Sequence, residues 1–232
     1  VEEFFSAGGR ADLAVIASPM HLHVPQSLAA LSHGCHVLVE KPVAATIQDA
    51  RELAEAAARA RLPVSVGYQW SYSVAIRSLK HDLLSGVFGR PQSVTTYCAW
   101  PRDDAYYRRN SWAGCLRDRE TGAWVLDSPA NNAMAHFLHN ALFLLGPAPD
   151  DSAIPVSVRG ELYRAYGIES ADTAACRVGL AGGATIVFLA SHVVEETVAP
   201  CFRIDCERGV IRFGDEGARI IGTTAAGVVH EY

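Results

Sequence analysis

Two rhythms of apolar residues divide the chain. In the first seventy positions, short continuous apolar runs alternate with amphipathic stretches. "LAVIAS" (13–18) and "HVLVE" (36–40) read as strands buried on both faces. Between them, "HLHVPQSLAALSHG" sets apolar residues at 24, 28 and 31 and stops at Gly34, which predicts a helix with a glycine end signal. Thr46 is placed to cap "IQDARELAEAAARARL", an alanine-rich helix with acids early and arginines late, as the helix dipole favours. "PVSVGYQW" (63–70) predicts a third strand. Strands and helices alternating through short links imply right-handed parallel βαβ units, with helices over both faces of the sheet.

Beyond residue 71 the rhythm changes. "SVAIRSLKHDLLSG" predicts one more helix, ended by Gly86, and "PQSVTTYCAW" a strand. A polar, aromatic, arginine-rich loop runs from 101 to about 122. The best-punctuated helix follows, in "DSPANNAMAHFLHNALFLLGP": Ser128 suits the N-cap, Pro129 the first helical position, and Gly146–Pro147 the close. After it, runs at 154–163, 172–179, 184–191, 201–207, 210–214 and 218–222 are rich in Val, Ile, Phe and Tyr and separated by glycine-containing gaps. They predict an antiparallel sheet built from hairpins. The domain change falls near residue 70, giving domains 1–70 and 71–232.

Composition narrows the function classes. Half of the 232 residues are apolar and the net charge is −5, so a real core is expected and a nucleic-acid footprint is not. No apolar stretch is long enough to span a bilayer, and "VEEFFSAGGRAD" lacks the form of a signal peptide. The six cysteines are scattered without a C-x-x-C pair, as expected of free thiols in a reducing cytoplasm. Only two lysines occur, Lys41 and Lys80, in a chain that otherwise uses arginine. Lysine can be tuned to release its proton and arginine cannot, so a lysine where a strand leaves its sheet draws notice. Lys80 reads as a solvated residue on a polar helix face.

The segment "DLAVIASPMHLHVPQSLAALSHGCHVLVEKPVAAT", then "VGYQW", "YYRRNSWAG" and the 127–146 helix together resemble the glucose–fructose oxidoreductase / inositol dehydrogenase (Gfo/Idh/MocA) family of NAD(P)-dependent oxidoreductases. The resemblance covers most of the chain. It implies an α/β plus α+β fold: a partial Rossmann-type parallel sheet, the C-terminal half of a dinucleotide-binding domain, followed by an open, mostly antiparallel sheet with helices on one face. It further implies a sugar or polyol dehydrogenase using NAD or NADP, and a homo-oligomer formed through the open sheet. The Glu-Lys-Pro turn would face the nicotinamide, with a cis bond before Pro42.

Physical chemistry supports that placement. Ligands of open α/β sheets bind beyond the carboxyl ends of the strands, where Lys41 stands. A partly buried ammonium there could hydrogen-bond a substrate hydroxyl and stabilise the alkoxide that develops as hydride leaves. Glu40 could accept from a cofactor group or neutralise nearby charge, and Pro42 restricts Lys41 to extended geometry. The alternative is a plain surface turn. By the resemblance, Ser18, Pro19 and His23 would line the cofactor, whereas locally His23 could simply bond within its own helix start.

The resemblance also implies a helix bearing an Asp and, four residues on, a His that accepts the proton. Counting back from "FLLG" puts His136 at that position and Asn132, not Asp, one turn before it. Asn132 can orient a hydroxyl but offers no charge to an imidazolium. Counting from Asp127 would put Asn131 at the His position and lose the base. Nine residues of helix span about 13 Å, so Asp127 is not expected to reach His136 and instead sits by the helix N-terminus, near Lys41 or the substrate. Tyr107, Arg109, Asn110 and Trp112 suit a polyhydroxy ligand, or equally a loop packing on the sheet or on a partner. No metal site is expected, since neither His21/His23 nor His136/His139 has further ligands in view. No G-x-G-x-x-G phosphate loop occurs, so the sequence reads as a fragment or a truncated product that binds cofactor poorly by itself. The alternative function is a non-catalytic sugar-binding or oligomerisation relative.

Overall fold

The computed structural model describes residues 1–215 and 217–232. They form two compact units: Val1–Tyr68 with Tyr107–Asp127 and Ile168–Ser170, and Gln69–Tyr106 with Ser128–Gly167 and Ala171–Tyr232. Among the described residues no helix is long and apolar enough to cross a membrane.

The first unit holds a parallel sheet in the order β1 (Leu13–Ile16), β2 (His36–Val39), β3 (Val64–Val66). After the short α1 (Glu2–Ser6), the connecting helices are α2 (His23–Ser32) and α3 (Ile47–Ala60). Thr46 caps α3 by accepting from the Asp49 amide at 3.2 Å. Ile16, Val37 and Val39 pack with Val24 and Leu31 of α2 and Leu53 of α3. The opposite face is not covered: Val15 is 66% and Leu38 38% exposed. The expectation of helices over both faces is therefore corrected. The strands alternate in burial, and the continuous apolar runs concealed that alternation. The third strand is also shorter than expected. Gly67 gives the last ladder bond, to Val39 O at 2.8 Å, and Gln69–Tyr72 turns into a 3₁₀ helix.

The second unit is an open sheet of eight strands. In chain order they are β4 (Pro91–Ala99), β5 (Pro155–Tyr163), β6 (Thr173–Leu180), β7 (Thr185–Ser191), β8 (Val198–Cys206), β9 (Gly209–Gly214), β10 (Gly217–Thr224) and β11 (Val229–Glu231). In space the order is β11-β10-β9-β8-β4-β7-β6-β5. Neighbours are antiparallel except β4 and β7, which run parallel, so the sheet is mixed rather than all hairpins. Helices α4 (Val74–Leu84) and α6 (Ala135–Leu144) cover one face through Leu79, Leu83, Phe143 and Leu144 against Val94, Ile186 and Ile204. The loop after β4 contains the short α5 (Asp104–Arg108).

Two expectations about this unit are corrected. The helix foreseen across 128–146 is interrupted. A π-turn, Pro129–Ala133, closes with the Met134 amide on Pro129 O at 2.8 Å, and α6 starts afresh at Ala135. Lys80 is not solvated but only 1% exposed. Its Nζ donates to Phe143 O in the last turn of α6 at 2.8 Å, donates also to Asp151 O, and lies 3.9 Å from the centre of the Phe143 ring. Burial lowers its proton affinity, against the pull of Asp151 and Asp150. A cation suits the negative end of α6. The Asp151 carbonyl presses so close that a Cβ on Gly146 would sit 1.9 Å from it, so Gly146 is needed for close approach.

Lys80→Met should lower stability by about 1–3 kcal/mol, because two carbonyls lose a charged donor. Gly146→Ala should be at least as harmful, since the displaced group is backbone. Urea unfolding midpoints of both variants check this; wild-type midpoints would dismiss the clamp.

Candidate functional site

The site begins where β1 and β2 leave the sheet side by side. Glu40 gives its amide to Ile16 O at 2.8 Å, so the two strand ends stay in register. After β1, Ser18 and Pro19 turn the chain into a 3₁₀ turn and then α2. The first residue of α2, His23, is 2% exposed. Its Nδ1 lies 2.7 Å from Pro42 O and its Nε2 2.8 Å from Ser18 O. Both partners are carbonyl oxygens, and a neutral imidazole has one N–H, so it donates to one of them at a time and lies between the turn after β1 and the turn after β2. Ser18 Oγ donates to Gln26 Oε1 at 2.8 Å. The Lys41–Pro42 peptide is cis.

Lys41 is partly buried at this edge. Burial pushes its ammonium below the ordinary lysine value, and the carboxylates of Glu40 and Asp127 pull the other way. Glu40 also accepts from the Lys41 amide at 3.1 Å. Asp127, 5% exposed, therefore stands within electrostatic reach of Lys41. Its Oδ2 accepts from the Gly114 amide at 2.8 Å. Gly114 has φ +69°, and a Cβ there would meet Tyr107 at 2.9 Å and Ile168 at 3.0 Å. Leu126, just before Asp127, has φ +47°, a region that a bulky side chain rarely adopts. Its own amide on Leu116 O and the Asp127 amide on Cys115 O hold it there.

These bonds explain why 107–127 clusters with the first unit, although the sequence placed it in the second domain. Met20 packs with Cys115, Val125 and Trp112. The Glu169 and Ser170 amides both donate to Gly114 O. Asn110 Oδ1 accepts from the Trp112 and Ala113 amides at 3.1 and 2.7 Å, an Asx-type turn. Arg109 lies over the Trp112 ring at 5.1 Å, and Tyr107 is buried. The four residues foreseen as substrate contacts thus share one loop in the unit that carries Lys41. Asp118 is the loop's inner anchor, accepting from Ser111 Oγ at 2.5 Å and from the Thr121 amide and hydroxyl at 2.8 Å each. The Ser111 bond, more than any other cause, lowers its carboxyl to about 2.

In the second unit, Ser128 Oγ accepts from the Asn131 amide at 3.1 Å, the expected cap. Asn132 lies in the π-turn and His136 in the first turn of α6. The break at Met134 separates them, so their spacing is not that of one regular helix. Such π-turns gather at functional sites. One turn beyond His136, His139 is pushed down to about 4 by burial, with His136 and Lys80 acting in the same sense, so it is neutral at ordinary pH. Sequence reasoning weighed His139 only as a metal ligand, and it missed Gly114 and Asp118. The spacing of Asp118 and Thr121 was the available signal, as an Asx turn.

The residues present fit the nicotinamide end of a dinucleotide and not its pyrophosphate. The strand edge offers Glu40 and a partly buried amine, whereas no G-x-G-x-x-G cradle lies in the sequence. Ser18 and His23 have their side chains committed to protein partners at this edge.

Comparison with known proteins gives consistent findings. Residues 1–68 match the profile "Oxidoreductase family, NAD-binding Rossmann fold", and residues 76–212 match "GFO/IDH/MocA C-terminal domain". The 1,5-anhydro-D-fructose reductase of Ensifer adhaerens is 34% identical over 88 residues, 38% of this chain and 26% of that protein. The D-glucoside 3-dehydrogenase of Escherichia coli is 31% identical over 78 residues, 34% of this chain and 22% of that protein. Among solved structures, the WlbA dehydrogenase of Bordetella pertussis, in complex with NADH and UDP-GlcNAcA, superposes with TM-score 0.79 at 24% identity, over 92% of this chain and 61% of that one. An oxidoreductase of Agrobacterium radiobacter, in complex with NAD⁺, L-tartaric acid and magnesium, gives 0.76 at 21%, over 97% and 62%. At these identities the structural likeness concerns the fold. The chain spans about three-fifths of the length of these solved relatives.

Asp118 yields a pH prediction. Its folded value of about 2 lies below the ordinary 3.8. The stabilisation is complete above about pH 4 and fades as pH falls towards 2. Asp118→Asn should therefore cost about 1–3 kcal/mol near pH 7 and progressively less in acid. Thermal melts across that range measure it, and a pH-independent penalty would contradict the assignment.

Proposed function

The chain belongs to the GFO/IDH/MocA family of oxidoreductases, and we propose that it carries the nicotinamide-side turn and the substrate domain of an NAD(P)-dependent dehydrogenase acting on a sugar or polyol. The observation that carries this reading is Lys41: an ammonium whose proton affinity is lowered by burial at the carboxyl end of a parallel strand, with Asp127 in electrostatic reach. NAD or NADP, when bound, would supply or accept the hydride. Glu40, Lys41 and Pro42 would contact its nicotinamide end, with Ser18, Pro19 and His23 shaping the edge.

In this reading Lys41 holds the reacting hydroxyl and stabilises the oxygen as its charge grows. His136 takes the hydroxyl proton, and Asn132 orients a neighbouring hydroxyl. Asp127 holds Lys41 in its charged form. Arg109, Asn110, Trp112 and Tyr107 shape the polyhydroxy pocket. The names of the relatives above, a glucoside dehydrogenase and an anhydrofructose reductase, support a sugar substrate. The helix-free face of the large sheet would pair with a second copy, and the cytoplasm, where the free cysteines stay reduced, would be the setting.

A second reading, a non-catalytic sugar-binding relative, is favoured by one residue. Asn132 leaves the proton acceptor without the carboxylate that would stabilise an imidazolium.

In a form of the protein that binds NAD(P), Lys41→Met should cut turnover of the competent sugar by about a hundredfold or more, and His136→Ala by a similar factor. Calorimetric binding of NADH should survive His136→Ala, which leaves the proposed cofactor edge untouched. Near-normal turnover in Lys41→Met would end the catalytic proposal, and no cofactor binding by the wild type would favour the second reading.

A further inference from the structure

β5 is the outermost strand on its side of the large sheet, and all nine of its residues are exposed. Directly opposed residues of neighbouring strands share a face. Val158 opposes Val178 and Leu162 opposes Ala174, both buried on the helix-covered side. Yet Val156, Val158 and Leu162 remain 66%, 63% and 67% exposed, because the cover ends before the edge. On the other face Arg159 opposes Arg177, a like-charge pair that is unfavourable as it stands. Among the described residues no carboxylate is paired with either guanidinium. The usual protections of an edge are missing from the body of the strand: no proline after Pro155, no inward-pointing charge.

The sequence of this strand is self-complementary in one register. In an antiparallel ladder, alternate residues send their backbone groups to the same side, so two copies of a strand can meet only with residue numbers that add to an even sum. A pairing centred on Arg159 would set that guanidinium against itself. One centred on Glu161 would set two carboxylates together. The register centred on Gly160 places Arg159 opposite Glu161 and Val158 opposite Leu162, each twice, and the small residue lies on the axis. We propose that β5 is a homodimerisation edge: two copies of this chain add strand to strand, antiparallel about Gly160, and join their large sheets into one across a twofold axis.

The pairing answers each exposed feature of the edge. Each Arg159, crowded by Arg177 within its own subunit, gains the partner's Glu161. Val158 and Leu162 of each copy meet Leu162 and Val158 of the other on the helix side. The backbone groups of the free edge enter a ladder. This contact differs from any pairing of sheet faces and does not rest on the redox reading.

Sedimentation velocity from about 1 to about 100 µM protein tests it, with melting temperature as the control for folding. Arg159→Glu and Glu161→Arg should each weaken association by about tenfold or more, whereas R159E/E161R should return to within about threefold of wild type, because the swapped charges still face each other. Val158→Lys, on the side away from the open face, should weaken association as strongly as either single charge reversal. Unchanged association in Val158→Lys, a double variant no better than the singles, or a wild type that stays monomeric throughout would each overturn the proposal.

Discussion

The bridge made by His23 is the constraint on which the candidate site rests. The turns after β1 and after β2 lie on separate loops, and no ladder continues between them once the strands end. One buried imidazole sits at hydrogen-bond distance from Ser18 O on one side and Pro42 O on the other, with its single N–H serving either turn. A buried carbonyl left without a donor is costly, so the two turns are held together by the penalty of separating them. Lys41 is the residue immediately before the tethered proline, and its backbone position follows from that tether. His23 is thereby placed to position the turn through backbone carbonyls.

The 107–127 loop shows how twenty-one residues with little regular structure can still be well fixed. Its backbone groups need partners, and short polar side chains supply them from inside the loop. Asn110 and Asp118 close local turns, and Asp127 reaches back to the amide of Gly114. Each of these side chains is one or two bonds long, so it can satisfy an amide without carrying much rotamer entropy. The cost appears at Leu126, whose left-handed backbone is maintained by bonds on both sides. The outcome is a carboxylate near Lys41 that is itself already hydrogen-bonded, and so fixed in place.

Local chemistry was legible in the sequence and face coverage was not. Thr46 and Ser128 cap where their hydroxyls predicted, because a cap depends on neighbours two or three residues away. The change from helix-separated strands to a large sheet was legible in the rhythm of apolar runs, whereas the cis bond before Pro42 was an expectation of the family resemblance. Val15 and Leu38, read as buried, are exposed, since an apolar run states what could be buried and not what arrives to cover it. The parallel pairing of β4 with β7 joins strands some ninety residues apart, beyond the reach of any hairpin signal. The π-turn at Pro129–Ala133 was masked by a helical pattern of good caps, which fixes where a helix begins and ends but not the winding between.

Lys41 and Lys80 make the same point within one residue type. Burial lowers the proton affinity of both, so that shift by itself does not distinguish chemistry from architecture. The partners do. Lys80 donates to two backbone carbonyls that close the end of α6, groups that cannot take or give a proton and cannot be exchanged for a substrate without opening the helix end. Carboxylates act on the charge of both, Asp151 and Asp150 on Lys80 and Glu40 and Asp127 on Lys41, but Lys41 stands at a strand edge where parallel sheets place their ligands. A lysine fixed by carbonyls stabilises a fold. A lysine at a strand end can respond when a hydroxyl beside it begins to carry charge, and this difference in position, together with the carbonyl bonds of Lys80, is the physical basis for proposing Lys41 as the chemical group.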